Sequence, residues 1–396
     1  MLQELVNHNE DLRKLQDAGF EMEMNGGYLV IHHIPYVANM DGSPLAKEDG
    51  KLVVKLNLSG NTLNIPFDHT AYFIGMHPCN IDGSPLTGVV NNSNKNNLGN
   101  GLIVDHYLSN KPAVGNETSY YEKVVRYESI ISRPAIHLNK NLTARTFKPI
   151  RPDSIDSPFK YIDTMSSRYD IQAINDKLKN EKIAIVGLGG TGAYVLDFVA
   201  KTPVKEIHLI DGDVFSTHNA FRAPGAASFD ELCVRYTKTE YFASKYDNMR
   251  NGVVSHAEYL TENNIDQLLD YDFVFVCIDN AKARKLIIEF LGYSGKPFVD
   301  TGMGLNVNDG EISGSVRTTS CCDSDSFETV KAYIPLEEQS ADAAYKTNIQ
   351  ISELNALNAL LAVIKWKQSR GFYNRYDHCY SDEVVFTLND LKMLKH

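Results

Sequence analysis

The chain has 396 residues, 43% of them hydrophobic, enough to bury the cores of two ordinary domains. With 50 acidic against 39 basic residues the formal net charge is -11, and there is no Lys/Arg cluster, so nucleic acid is excluded as an expected partner; no run of about 18 apolar residues offers a membrane span. The N-terminal MLQELVNHNEDLRKLQ is amphipathic and polar, unlike a secretory leader, and the expectation is a soluble, cytoplasmic protein that binds neither nucleic acid nor membrane.

After this short helix, residues 20–145 read as β-rich, with YLVIHHI, KLVVKLNL and TAYFIGM as strands between Gly, Asn, Asp and Pro. NMDGSPL (39–45) and NIDGSPL (80–86) are near copies whose Asp-Gly and Ser-Pro chemistry reads as two similar turns. The Asn-rich VNNSNKNNLGNG (90–101) has no apolar period and reads as a mobile surface loop. DHTAYFIGMHPCNIDG (68–83) brings together His69, His77 and Cys79, whose spacing matches no metal motif; a structural role is the better reading. TFKPIRPDSIDSPFK (146–160) has three prolines among polar residues and reads as a connection between domains. From residue 171 helix and strand alternate: QAINDKLKN, KIAIVG, GAYVLDFVAK, EIHLID, DFVFVCID, AKARKLIIEFL, PFVDTG. Such alternation predicts a Rossmann-like, mostly parallel α/β sheet. The last helix, 351–371, repeats Ile351, Leu354, Leu357, Leu361 and Ile364, with Lys365, Lys367 and Arg370 in its final turn and Gly371 as its stop. The expected organisation is a β-rich α+β domain over 1–150, a linker over 151–164 and the α/β domain over 165–396.

Within the α/β domain, Gly187, Gly189 and Gly192 follow a buried strand in GxGxxG spacing, and Asp211 ends the next strand 24 positions after Gly187. An NAD-binding oxidoreductase meets that pattern, so the glycines alone decide nothing. A chain that splits ATP must also neutralise a triphosphate and hold magnesium, which calls for further cations and a carboxylate. These occur in order: Gly190, Asp211-Gly-Asp213, Asn219, Arg222, Lys238 and Asp279-Asn280. Asp213 reads equally as a ligand or as a turn cap, Cys277 as a small core residue, and His208 and His218 as structural histidines.

VGLGGTG (186–192), LIDGDVFSTHNAFR (209–222), Lys238, CIDN (277–280) and SELNALNALLAVI (352–364) together resemble the ThiF/MoeB superfamily of adenylyltransferases, which includes the ubiquitin-activating enzymes. The resemblance covers residues 165–371 and implies the ubiquitin-activating adenylation fold. It implies that Gly187, Gly189 and Gly190 approach ATP, Asp211 holds its ribose, Asn219, Arg222 and Lys238 bind phosphates, and Asp279 positions Mg²⁺. It also implies that Arg168, in SSRYD (166–170), reaches the ATP of a second subunit, making the enzyme a homodimer. The implied reaction is adenylation of the C-terminal carboxylate of a ubiquitin-like protein; a sulfur-carrier protein or a peptide is the alternative acyl substrate.

Many such enzymes then pass the acyl group to a cysteine of their own. Of the six cysteines here (Cys79, Cys233, Cys277, Cys321, Cys322, Cys379) none forms a CxxC pair, and SADAAYKTNIQ (340–350), where several relatives place the nucleophile, has none. Cys321 and Cys322 in TTSCCDSDSF (318–327) are the available candidates, expected on an exposed crossover loop, with Asp323 and Asp325 opposing thiolate formation. The domain over 1–150 resembles the leading domain of bacterial ubiquitin-activating-like proteins found beside ubiquitin-like and conjugating-like proteins in phage-defence clusters. Its expected role is recruitment of the ubiquitin-like substrate or of a conjugating-enzyme-like partner.

Overall fold

A computed structural model describes residues 2–113, 115, 117–148, 157–161, 163–169, 171–336, 349–375 and 380–395. The chain forms two compact units, residues 1–155 with 161–171 and residues 156–160 with 172–396.

The first unit opens with helices α1 (Leu2–His8) and α2 (Glu10–Asp17). Its sheet comprises β1 (Met22–Asn25), β2 (Tyr28–Met40), β3 (Ser43–Lys55), β4 (Thr70–Ile74), β5 (Val90–Asn92) and β6 (His106–Ser109). Neighbours are antiparallel throughout, in the order β1-β2-β3-β4-β6-β5. The first DGSP copy makes the β2–β3 hairpin: Asp41 and Gly42 both have positive φ, 52° and 88°, as a two-residue type I′ turn demands. The second copy forms a compact loop rather than a hairpin between long strands, and Asn39 of the first copy donates Nδ2 to the Gly83 carbonyl at 3.0 Å. The Asn-rich 90–101 segment contains β5 and a two-residue strand at Asn96–Asn97.

The β-rich expectation missed one element, the 19-residue helix α3 (Tyr120–Leu138). Ser119 caps it, accepting the Glu122 N–H at 3.3 Å, and Tyr120, Val124, Tyr127, Ile131 and Ala135 form a buried stripe against β2 and β3. Tertiary burial of that stripe overrides the low helix propensity of its aromatic and β-branched residues and the interior Pro134.

Helix α4 (Thr164–Arg168) falls in the first unit; the Arg168 side chain lies outside the described residues. Residues 151–156 and 162 of the segment read as linker are also outside them.

The second unit runs β7 (Lys182–Val186), α5 (Thr191–Ala200), β8 (Glu206–Ile210), α6 (Thr217–Ala220), α7 (Phe229–Val234), α8 (Lys238–Asp247), β9 (Val253–His256) and β10 (Phe273–Val276). It continues with α9 (Ala281–Tyr293), β11 (Phe298–Asn308), β12 (Glu311–Cys321), α10 (Phe327–Lys331), α11 (Ser352–Ser369), β13 (Asp382–Thr387) and β14 (Lys392–Lys395). Sheet order is β9-β8-β7-β10-β11-β12-β13-β14; the first five strands are parallel and the rest antiparallel. The sheet is buried on both faces: Ile183 and Ile185 of β7 join a core with α5, α8 and α11, while Ala184 and Val186 face α9 and α10.

Helix α11 is present where the apolar period places it, but its buried face differs. Besides Leu354, the buried residues are Asn355, Asn358, Ala359, Ala362, Val363, Lys365 and Trp366, and Leu360 is 43% exposed. Polar residues face inward because the strands supply partners: Asn358 accepts from Thr318 Oγ1 at 2.8 Å and donates to Gly302 O at 2.9 Å, and Lys365 pairs with Asp382.

Candidate nucleotide site

In chain order the parallel strands read 3-2-1-4-5, so the order reverses between β7 and β10, and a crevice opens beyond their carboxyl ends. Gly187 leaves β7 at φ +87°, where a Cβ would stand 2.6 Å from the Cys277 carbonyl oxygen; only glycine makes this turn without strain. Gly190 caps α5, and a Cβ there would meet Asn355 Nδ2 at 2.0 Å. The extra glycine thus admits the side chain of Asn355, which accepts from Thr191 Oγ1 at 2.9 Å and donates to Arg222 O at 3.4 Å. Gly189 is different: a Cβ there would meet nothing closer than 3.8 Å, and its neighbours would be the Arg222 guanidinium and Gln350 Oε1. Free N–H groups at the start of α5 therefore face open space bordered by a cation, an arrangement suited to an anion.

Asp211 braces the loop from below. Its Oδ2 accepts the Leu188 N–H at 2.6 Å and its Oδ1 the Asp213 N–H at 2.9 Å, leaving Oδ1 a further lone pair for a ligand hydroxyl. Lys238, 7% exposed, donates to Asp213 at 2.6 Å and to Asp211 at 3.4 Å. Asp213 is therefore a counter-ion: the hydrogen bonds from Lys238 and from Tyr259 hold its carboxyl below the usual aspartate range. By contrast Arg222 has no carboxylate partner among the described residues, and its Nε is buried without a hydrogen-bond partner. Gln350 Oε1 is likewise buried and unpaired. Across the cavity the β10 end carries Asp279, which is exposed, and Asn280, which caps α9 by accepting the Ala283 N–H at 2.9 Å. Arg284 fixes the strand end by donating to the Ile278 carbonyl, and pairs with buried Asp300.

One cavity thus gathers Gly187, Gly189, Gly190, Asp211, Asp213, Arg222, Lys238 and Asp279. Asn219 is not in its lining. It is fully buried, its Oδ1 accepting the Ser216 N–H at 2.9 Å and its Nδ2 without a hydrogen-bond partner among the described residues, and it secures the turn whose end carries Arg222. Thr191, Tyr259 and Gln350 line the cavity without having been singled out in the sequence; none belongs to a spaced motif, and only packing reveals them.

The two candidate nucleophiles need correction. Cys321 is the last residue of β12, paired with Phe298 and 2% exposed, and burial pushes its thiol up to about 12. Cys322 is half-buried, its thiol pushed up by burial to about 11. Neither lines the cavity. The polar TTSC ends strand β12 because its hydroxyls have buried partners, Thr318 with Asn358 and Ser320 with Asp382, so the exposed segment begins only past Cys322, at Asp323. Cys379 and residues 340–348 lie outside the described residues. Cys277 is half-buried and lines the cavity, its thiol raised to about 12 by burial. His208 sits between His256 (2.9 Å) and Glu206 (3.2 Å), whereas His218 is exposed. Cys79 is buried and donates to His77 O at 3.3 Å, His69 meets Ser109 at 3.2 Å, and no group of three metal-ligating side chains occurs among the described residues. No helix among them is long and apolar enough to cross a membrane.

Fold and site together define a Rossmann-like α/β protein whose glycine loop faces an arginine with no carboxylate partner among the described residues. The chain belongs to the ThiF family, which matches residues 165–392; residues 10–164 match a domain of unknown function, DUF6791. It is 33% identical over 127 residues to the adenylyltransferase and sulfurtransferase UBA4 of Kluyveromyces lactis, covering 31% of this chain and 28% of that protein. The protein of the same name from Candida albicans is 31% identical over 141 residues, covering 35% of this chain and 31% of its own. The chain thus spans under a third of the length of these curated relatives. Among solved structures, Escherichia coli MccB with ATP aligns over 70% of this chain and 82% of its own, with TM-score 0.45 and 19% identity. PaaA aligns over 59% and 83%, with TM-score 0.45 and 17% identity.

Proposed function

We propose that this chain adenylates the C-terminal carboxylate of a ubiquitin-like protein at the glycine-loop cavity. The observation that carries the proposal is Arg222: a guanidinium with no counter-ion among the described residues, beside the open face of Gly189 and the start of α5, matches the negative charge of a triphosphate. Asp211 keeps acceptor capacity for ribose hydroxyls, and Leu260, Ile278 and Ile287 offer apolar surface to a base. The exposed carboxylate of Asp279 suits Mg²⁺, which binds through one or two carboxylates plus phosphate oxygens and water; bound there, the ion would neutralise phosphate charge.

In the reaction an acyl carboxylate oxygen bonds to the α-phosphorus of ATP as the bond to the β-phosphate bridging oxygen breaks, and pyrophosphate leaves with that electron pair. The chain's part is positioning and charge: the α5 N–H groups and Arg222 hold phosphate oxygens, and Lys238 is shared between Asp213 and phosphate. Buried Cys321 and half-buried Cys322, their thiols raised by burial, favour release of the acyl-adenylate to a conjugating-enzyme-like partner over transfer to the enzyme itself. A homodimer in which Arg168 completes the site of the other subunit, and a place in a phage-defence conjugation pathway, belong to the same proposal. A sulfur-carrier protein is the second acyl substrate to test, favoured by the relatives named adenylyltransferase and sulfurtransferase.

The test is pyrophosphate exchange into ATP with a ubiquitin-like protein ending in Gly-Gly. Exchange that depends on the acyl protein and falls at least about a hundredfold in Arg222→Ala and Asp279→Ala supports the reading. Micromolar NAD binding without Mg²⁺-ATP binding overturns it.

A further inference from the structure

The Asp279 carboxylate makes no hydrogen bond or ion pair among the described residues, so its backbone alone fixes where it stands in the cavity. Two contacts hold that backbone on either side: Asn280 caps α9 through the Ala283 N–H at 2.9 Å, and Arg284 Nη2 donates to the Ile278 carbonyl. Arg284 is in turn held from behind. Its Nε stands 3.3 Å from Oδ1 of Asp300 in β11, and Oδ2 of the same carboxylate accepts from Arg317 Nη2 of β12 at 2.6 Å. Arg317 Nε lies 3.9 Å from Glu383 of β13, so two arginines and two carboxylates form one neutral group. Asp300 is wholly buried, level with Val276 of β10, and neither it nor Arg284 lines the cavity. Phe298, two residues earlier, packs in the core under α9, so Asp300 points the same way and meets the first turn of that helix.

A buried ion group adds little net stability, because desolvating its charges offsets their mutual attraction. What it adds is direction. A guanidinium is a rigid, planar fork, so with Nε set against Asp300 its Nη2 is aimed at one place, the Ile278 carbonyl. A lysine at 284 would carry the charge but could not serve both partners at a fixed angle. We propose that Asp300 is a positioning residue for the divalent cation: through Arg284 it fixes the Ile278 carbonyl, and with it the place of the Asp279 carboxylate. This inference rests on the reading of Asp279 as the Mg²⁺ ligand of an ATP site. Groups that orient a metal ligand from outside the coordination sphere govern metal affinity by about 10- to 100-fold.

The test is calorimetric titration of the full chain with a non-hydrolysable ATP analogue, once with Mg²⁺ and once with EDTA; the ratio of the two Kd values is the gain the cation brings. The parent should show a gain of about tenfold or more, and Asp279→Ala should lose it. Arg284→Lys keeps a charge beside Asp300 without the fork; it should lose most of the gain while its Kd in EDTA stays within about twofold of the parent. Arg317→Lys alters the same buried group without touching Ile278 and should keep the gain. Asp300→Asn should match Arg284→Lys, and the two lysine variants decide the matter where the asparagine variant does not fold. A gain kept in Arg284→Lys but lost in Asp279→Ala overturns this inference alone, and so does an affinity loss in Arg284→Lys that is equal with and without Mg²⁺. No gain in the parent overturns the Mg²⁺ reading and the inference with it.

Discussion

Substituting alanine for Gly187 and for Gly189 should separate the loop's two glycines by mechanism. Gly187 sits at φ +87°, and a Cβ would lie 2.6 Å from the Cys277 carbonyl oxygen, a backbone atom that cannot swing aside. The left-handed backbone costs about 1–2 kcal/mol for alanine, and relieving the overlap costs about 1–3 kcal/mol more, so Gly187→Ala should lose about 3 kcal/mol of unfolding free energy. Gly189 has no positive φ, and a Cβ there has ordinary contacts at 3.8 Å, so Gly189→Ala should stay within about 0.5 kcal/mol of the parent. Its methyl would nevertheless stand between the α5 N–H groups and Arg222, and ATP binding should weaken about tenfold or more. Urea unfolding gives the first quantity and calorimetric ATP titration the second. Gly187→Ala as stable as the parent, or Gly189→Ala unfolding early, would refute the assignment of one glycine to the turn and the other to the ligand.

Further outcomes follow from the charge network and the thiols. Burial raises the Asp382 carboxyl, but the Arg375 hydrogen bond and the Lys365 charge outweigh it and hold the group below the usual aspartate range. A lowered carboxylate stabilises above its unfolded pKa and loses that stabilisation as pH falls through the folded value. Asp382→Asn should therefore cost about 3–5 kcal/mol at pH 7, with the gap to the parent closing below about pH 4 in parallel urea titrations. Brief iodoacetamide treatment at neutral pH should label exposed Cys233 before buried Cys321, as read by peptide mass spectrometry; Cys321 labelling first would contradict its burial. The parent chain should form no reductant-sensitive acyl adduct with the activated substrate; a thioester trapped on the parent and absent from Cys321→Ser/Cys322→Ser would return an acyl-acceptor role to one of the pair. Ser119→Ala should lower the stability of the first unit by about 1 kcal/mol in thermal melts, since it removes the α3 cap.

The parallel strands were legible because full burial on both faces leaves short apolar runs such as KIAIV and FVFV, and the turn glycines punctuate them. Helix α3 was not, because Tyr120, Val124, Tyr127 and Ile131 suit strand and helix alike until a sheet offers them a surface. The inward face of α11 misled for a related reason: Asn355 and Asn358 look solvent-facing in the sequence and become core residues only once Gly190, Thr318 and Gly302 supply room and partners. At the site, residues at fixed spacings were readable, whereas the pairing of Lys238 with Asp213 was not. Spacing shows that a cation is near; it does not show whether that cation is already spoken for.

That pairing bears on the end of a catalytic cycle rather than its start. If the proposed adenylation is this chain's reaction, the pyrophosphate formed would meet Arg222 and Lys238, but Lys238 already rests between Asp211 and Asp213, which would reclaim it as the product moves away. The leaving anion would then compete with the chain's own carboxylates, and such a cavity would expel its by-product where two unpaired cations would hold it.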